Sequence, residues 1–416
     1  MTLDEVANTI ADPAAYADEA RLHRALALLR SDDPVRWVRP PGYHPFWAVT
    51  RHADVLEVER NPAVFRNSPR PLLVTARMDE LNALRDTLGV GLRPLIHLDG
   101  VAHRTIRAAG ARWFRPATMA EFEGRLRELA GACVDRMAAL GGACDFSTDV
   151  ADDFALRVLG SALGAPESDH SRLFRLTPAG RRGFSPRQRQ AAMAGFTEYF
   201  GELAAERRAR PTGDLASVIA NAGLSEFDTR SYYIIVVTAG HDTASAVIAG
   251  GLRALIEHPG QLRRLRDDPS LLPAAVEEMI RWVTPVKAFM RTATEDYELG
   301  GAAIRAGEAV LLSYPSANRD ERVFAEPFRF DVGRSPNRHL AFGHGPHHCL
   351  GAPLARLEIA AFFAELLPRL DEVRLAGQPR HIATTFSGGL KNLPIRYRLR
   401  ACAPDSDRAP DSRSRS

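Results

Sequence analysis

Lysine is almost missing from this sequence. Of 54 basic residues, Lys287 and Lys391 are the only lysines, and the arginines are scattered along the chain. Set against 51 acidic residues they leave a formal net charge of +3. That is too small and too dispersed to imply a nucleic-acid partner, so the arginines are read as solvated surface and ion pairs, with a local basic patch for an acidic partner left open. Cysteine is also scarce. Cys133, Cys144, Cys349 and Cys402 are too few and too scattered for a disulfide framework. No stretch holds the roughly 18 uninterrupted apolar residues of a membrane span, so no membrane anchor is expected. The opening MTLDEVANTIADPAAYADEA carries acids where a signal peptide has its apolar core, and the expected location is cytoplasmic. There is no internal repeat of a solenoid or propeller.

What is present is an ordinary globular composition, 45% apolar and 25% charged, enough for a sizeable core. The expected fold class is mainly α with small β-sheets. Residues 1–402 are read as a single domain, helix-rich with a smaller β-rich part, and the polar tail 403–416 as disordered. FWAVTRHADVLEVERNP reads as a strand and then a helix stopped by Pro62. FEGRLRELAGACVDRMAAL has a helical apolar period ending at Gly141-Gly142, and Cys133 and Cys144 read as buried, inert thiols. Residues 71–98 read as a long loop with short helical pieces, and the Arg-rich stretch 177–193 as a variable segment between helices. The alternation in AFMRTATEDYELGGAAIRAGEAVLLSY predicts strands turning at Gly300-Gly301. IATTFSGGLKNLPIRYRLR predicts a loop and a final strand.

DTRSYYIIVVTAGHDTASAVIAGGLRALIEHP predicts one unbroken helix of about thirty residues, capped by Asp228 and ended by Pro259. It is apolar nearly all round, so it should cross the core. Its polar middle, Ala239 to Thr243, stands out. Asp242 there needs a partner or nearby water, and Thr243 can bond back to the carbonyl four residues earlier and open the helix. Two readings stay open: a kink holding a buried Asp–Arg pair, or a groove for a small ligand with an acid and an alcohol beside it. His241 between them is read as a helix-surface residue. In AAVEEMIRWVTP, Glu278 and Arg281 share a helix face among apolar neighbours. A buried pair of this kind needs further partners, and Arg334 is expected to join it.

LAFGHGPHHCLGAPLARLE crowds His344, His347 and His348 against Cys349. A zinc site fits poorly, because adjacent His347, His348 and Cys349 cannot all turn to one ion. A nucleophilic cysteine fits poorly in so rigid a Gly/Pro loop. A single thiolate facing a flat cofactor fits better: Gly343, Gly345 and Gly351 would let backbone approach a ring, and the helix start after Cys349 would aim N–H groups at sulfur.

FGHGPHHCLGAPLARLE resembles the haem-binding signature of cytochromes P450, F-G-x-G-x-H-x-C-x-G-x-x-L-A-R-x-E, at every defined position. EEMIR resembles that family's E-x-x-R, AGHDT its A-G-x-[DE]-T, and FAEPFRFDVGR the segment completing a Glu–Arg–Arg cluster. The likeness of layout covers nearly the whole chain. It implies the cytochrome P450 fold, with one haem b between the long central helix and the loop before Cys349. Cys349 would be the axial ligand of the haem iron, with Phe342, Gly343 and Gly351 against the ring's sulfur side. His103, Arg107, Arg291 and His347 would hold the propionates; Val101 departs from a proline common in other members. Ala239 and Gly240 would border the dioxygen site, with Asp242 and Thr243 relaying protons. Glu278, Arg281 and Arg334 would be structural. The resemblance leaves His344 and His348 as loop residues.

The expected substrate is a largely apolar small molecule, terpenoid or steroid-like, because RWVTPVKAFMRTAT and SYPSANRDERVF resemble soluble bacterial members near the terpineol hydroxylase. Pocket candidates are Leu73, Val236, Val286, Phe289, Met290 and Phe386, with Leu72, Val74, Ala239 and Thr385 beside them. The chain shows no nucleotide fingerprint and no iron–sulfur cysteine set. Electrons from NAD(P)H should therefore arrive through a ferredoxin reductase and an acidic ferredoxin docking near Arg112, Arg115, His344 and His348, on a monomer. The expected reaction is insertion of one oxygen atom into a C–H bond. The alternatives are a tailoring oxidase of secondary metabolism (hydroxylation, epoxidation or coupling), a peroxide-driven relative, and a non-catalytic haem binder.

Overall fold

The computed structural model describes residues 3–87, 93–177 and 185–400. Cys402 and the tail 403–416 lie outside the described residues, as do 88–92 and 178–184 from the two stretches read as loops. Seven helices position the site: α1 Gly100–Ala111, α2 Pro116–Ala139, α3 Asp152–Ala162, α4 Glu226–Gly240, α5 Asp242–Glu257, α6 Leu272–Val283 and α7 Ala352–Arg369. Their ends follow from local chemistry. Pro116 starts α2 with its φ already helical, and Gly141 and Gly142 turn the chain away after it at φ 76° and 87°. Thr284, left-handed at φ 42°, stops α6. The described part of 71–98 holds the expected helical pieces, a helix at Ala76–Thr87, longer than expected, and a short turn at Leu95–His97.

The central apolar run is two helices, not one. Ser225 caps α4 by accepting from the Asp228 N–H, so the residue expected as the cap is instead held by it. The helix breaks at His241 (φ −98°, ψ −65°) and resumes as α5. Pro259 starts the following helix, Pro259–Asp267, rather than merely ending α5. By length and composition Glu226–Glu257 is apolar enough to cross a membrane. In the fold α5 packs against α3, α6 and α7, while α7 lies along α2.

Two apolar clusters meet along this axis. Leu126, Val134, Phe154, Ile248, Leu252, Met279, Phe362 and Phe363 form one, each 1% exposed or less. Ile106, Trp113, Leu159, Phe200 and Tyr233 belong to the other. Phe122, Leu354 and Leu357 touch both. Each buried side chain of this size contributes about 1.5–3 kcal/mol. Cys133 is buried in the first cluster, whereas Cys144 is half-buried on a strand, and burial pushes both thiols up to about 12.

The largest sheet has five strands, β1 Val35–Val38, β2 Phe46–Val49, β3 Phe65–Arg66, β4 Ala288–Ala293 and β5 Ala309–Ser313, in the order β1-β2-β5-β4-β3. The β2–β5 pair is parallel and the others antiparallel. The turn at Gly300-Gly301 joins Tyr297–Leu299 to Ala302–Ile304, as the alternation predicts. The final strand, Pro394–Leu399, pairs with Ala143–Asp145 and Leu370–Leu375.

Candidate active site

The loop before α7 is folded by its glycines. Gly343 and Gly345 both have φ 66°. A Cβ on Gly345 would lie 2.5 Å from the Glu59 carbonyl oxygen, and one on Gly343 would lie 3.1 Å from the Glu59 carboxylate. These glycines therefore admit the end of the His52–Arg60 helix, a different reason from the ring approach that motivates them in the sequence. Gly351 has an ordinary φ of −81°, and its nearest neighbour is Phe114 at 4.0 Å. The Cys349 N–H donates to the Phe342 carbonyl at 2.8 Å and closes the loop. Cys349 lies deep among protein atoms, yet its side chain opens onto accessible space. Burial pushes its thiol up, opposed by the Gly351 N–H, the Arg107 and Arg356 guanidiniums and the Ala352 N–H. Phe342 is half-buried, with the Arg356 guanidinium 4.6 Å from its ring centre and Arg356 itself held by Glu277.

Beside this loop the structure brings four cation-forming side chains together. His103 and His347 lie ring to ring at 4.0 Å. His103 is 2% exposed, and its buried Nε2 has no partner among the described residues. Burial, then His347 and Arg107, pull its imidazole down to about 4. Arg107 donates to the His348 carbonyl at 2.7 Å. Arg291 donates to the Met290 carbonyl and lies 3.6 Å from Glu59. Burial lowers His347, and Arg291 and Arg107 add to that against the pull of Asp99. The Asp99 oxygen lies 3.9 Å from His347 Nε2, and Asn67 lies 3.4 Å from Nδ1. Burial works to raise Asp99, but His347 and the N–H groups of Ser68 and Asn67 hold it below its usual range. Glu59 and Asn67, absent from the sequence reading, are thus part of this cluster. No local pattern marks them; the fold carries them there from the His52–Arg60 helix and the segment just after β3.

The polar break in the central helix is a second group of functional side chains. Ala239 and Gly240 are exposed in the middle of a core helix run. Thr243 Oγ1 donates to the Ala239 carbonyl at 2.8 Å, the back-bond its position allows. A Cβ on Gly240 would sit 3.4 Å from Leu159. Among the described residues Asp242 meets His241, 2.8 Å away. His241 is fully buried rather than on the helix surface, because the break turns its ring inward onto the Asp152 carbonyl at 3.0 Å. A histidine in the middle of an otherwise apolar helix run was the signal for this.

Glu278 and Arg281 are fully buried and bidentate, both contacts at 2.7 Å. Arg334 Nε adds contacts of 3.2 and 3.1 Å to the same carboxylate, and the terminal nitrogens of its guanidinium donate to the Ala325, Glu326 and Arg329 carbonyls. Asn337 and the Asp331 N–H also donate to Glu278. Such satisfaction makes a buried carboxylate tolerable. The pocket candidates divide. Phe289 meets Phe386 edge-on at 5.5 Å, and Val286 pairs across to Ser387. Val236 is half-buried on α4. Met290 is 4% exposed and packs with Leu26 and Leu311 in the N-terminal cluster, with Leu73 against it. Successive residues of β4 point to opposite faces, so Met290 cannot share a wall with Phe289.

An accessible thiol flanked by backbone N–H groups, a cluster of two arginines and two histidines with an unpartnered buried nitrogen, and an acid–alcohol break in the central helix together fit a haem-thiolate class of protein. The family model for cytochrome P450 matches residues 215–398. The chain is 39% identical to Cytochrome P450-terp of a Pseudomonas species, over 95% of this chain and 97% of that one. It is 33% identical to the Steroid C26-monooxygenase of Mycolicibacterium smegmatis, over 89% and 90%. Among solved structures it is similar to CYP108D1 of Novosphingobium aromaticivorans, with TM-score 0.89, 39% identity, and coverage of 95% and 99%. It is also similar to the Mycobacterium marinum cytochrome P450 CYP268A2 in complex with pseudoionone, with TM-score 0.82, 33% identity, and coverage of 91% and 95%. The chain belongs to the cytochrome P450 family and is a monooxygenase of that family.

Proposed function

We propose that this enzyme inserts one atom of dioxygen into a C–H bond of a largely apolar terpenoid or steroid-like molecule. The observation that carries the reading is the pairing of an N–H-flanked Cys349 with the Asp242–Thr243 break. Haem b, when bound, supplies the iron at which dioxygen is reduced. The residues fit it: Cys349 would supply a thiolate ligand, and His103, Arg107, Arg291 and His347 would hold its two carboxylates. The unpartnered His103 nitrogen and the Arg107 and Arg291 guanidiniums beside the His103–His347 pair support that assignment. Asp242 and Thr243 deliver protons, and the Thr243 hydroxyl orients an acceptor beside Ala239 and Gly240. Val236, Val286, Phe289 and Phe386 supply apolar walls for the substrate. Cytochrome P450-terp and the pseudoionone complex support a terpenoid, and the Steroid C26-monooxygenase a steroid. Residues 1–402 act as one cytoplasmic, monomeric catalytic domain, with electrons passing from NAD(P)H through a ferredoxin reductase and a ferredoxin.

Two variants test this reading. Cys349→Ser should abolish the red-shifted carbon monoxide band that gives the family its number; persistence of the band would refute the ligand assignment. Thr243→Ala should keep consuming NAD(P)H while product per NAD(P)H falls and peroxide accumulates. Unchanged product yield would remove Thr243 from the proton path. A spectral-shift screen of terpenoids against steroids then selects the substrate class.

A further inference from the structure

His241 is used nowhere in the scheme above, although its environment is tightly constrained. The Asp152 carbonyl, 3.0 Å from Nε2, can only accept, so Nε2 carries a hydrogen. On the other side Nδ1 lies 2.8 Å from Asp242 Oδ1. Two lone pairs would repel at that distance, so a proton must lie on this axis too. Either the imidazole is doubly protonated beside a carboxylate, or a neutral imidazole accepts from a protonated Asp242. In both cases the couple holds one proton next to Thr243.

We propose that His241 and Asp242 store a proton together and pass it on toward Thr243, which makes His241 a positioning and proton-holding residue of the monooxygenase reaction. This rests on the acid–alcohol reading above. Among the described residues the charged groups acting on His241 are Asp242 at the start of α5 and Asp152 at the start of α3, and the His170–Leu176 helix presents Phe174, ring to ring at 5.9 Å. Burial pulls the imidazole down, but the Asp242 and Asp152 contributions outweigh it and the net shift is upward. Resupply has a route. Asp152, Asp242 and Ser245 line one small cleft with Ala246, Ile382 and Gly388, and the Ser245 hydroxyl is bonded to the Asp152 carboxylate. A cleft with two carboxylates and a hydroxyl offers the several polar partners that water requires. One proton moves from Nδ1 to Oδ1, the protonated Asp242 carboxyl gives up that same proton toward Thr243, and the cleft returns one to the couple. No electron moves, and the couple regains its charge.

Two variants separate storage from shape. In His241→Asn the amide nitrogen can replace Nδ1 as a donor to Asp242 but has no proton to give; His241→Phe removes both. The first measurement is hydrogen–deuterium difference infrared spectroscopy on the resting holoenzyme. Wild type should show histidine and carboxyl bands that shift together, and His241→Asn should lose them. The second is dioxygen consumption by the chemically reduced holoenzyme in H2O and D2O. Both variants should slow, with a larger solvent isotope effect, while the carbon monoxide band stays intact. A wild-type isotope effect and rate in His241→Asn would overturn the proposal, as would infrared bands showing a neutral histidine beside an independent carboxylate. Absence of the carbon monoxide band from wild type would instead sink the haem-thiolate reading on which the proposal stands.

Discussion

Glu59 carries a carboxyl group that burial lifts from its ordinary 4.5 to about 7, despite Arg291, the Tyr314 hydroxyl at 2.7 Å and the His344 N–H. Its Oε2 has no partner among the described residues. The sign of the consequence follows from proton counting. Between the two values the folded protein holds a proton at Glu59 that the unfolded chain has lost, so stability falls as pH rises through this window and levels off above about 7. A shift of this size corresponds to roughly 3 kcal/mol. Glu59→Gln keeps an oxygen for Tyr314 and removes the ionisation. The variant should lose less stability than wild type when thermal melts are compared at about pH 5 and about pH 8; parallel losses would show that Glu59 does not ionise in that range. His241 teaches the same lesson from the other direction. A one-residue reading could not tell a surface histidine from a buried one, because its partner Asp152 lies 89 positions away in the chain.

At the scale of elements, α5 and α6 approach closely through two adjacent glycines. A Cβ on Gly250 would lie 2.5 Å from Val283 Cγ2, and one on Gly251 would lie 2.8 Å from the Met279 sulfur. Glycine inside a helix ordinarily loses about 1 kcal/mol to alanine. Here the clash should reverse that sign, since Val283 is stiff about its first torsion and overpacking destabilises by about 1–3 kcal/mol. Gly250→Ala should therefore melt about one or two degrees lower than wild type, and a rise in melting temperature would mean that the two helices separate at little cost. Most elements were legible because their signals are local: a strand and a helix before Pro62, the glycine pair that ends α2, the alternation around Gly300-Gly301. The Cys349 loop and the Glu278–Arg281 spacing were legible for the same reason. Three features were not. The break at His241 depends on a contact with α3, the cap at Ser225 lies just outside the apolar period, and the wall that Met290 faces depends on which side of β4 the N-terminal helix covers. The first and third are decided by neighbours distant in sequence, where periodicity says nothing.

For the whole molecule, the near-neutral balance of 54 basic and 51 acidic residues leaves some surface arginines of the described residues unpaired. Arg112 and Arg115 are exposed and without an ion-pair partner among the described residues, as are others elsewhere, Arg24, Arg39 and Arg263 among them. Arg112 and Arg115 lie close to the Cys349 loop. Arg107 of α1 donates to the His348 carbonyl, and Phe114, between Arg112 and Arg115, lies against Gly351. An acidic electron donor would meet a positive field on the side of the molecule where the thiol lies nearest the surface loops, and such contacts are small, polar and screened by salt. Steering of this kind acts on the association rate, which falls as ionic strength shortens the screening length from about 30 Å at 0.01 M to about 3 Å at 1 M. The rate of reduction by an acidic ferredoxin should fall steeply over that range for the wild type. Arg112→Glu combined with Arg115→Glu should be several-fold slower at low salt and converge with wild type at high salt, with the carbon monoxide band unchanged. Stopped-flow reduction at a series of salt concentrations checks this. A rate indifferent to salt, or a charge-reversed variant as slow at 1 M as at 0.01 M, would place the electron entry elsewhere, because a purely electrostatic defect must vanish when the charges are screened.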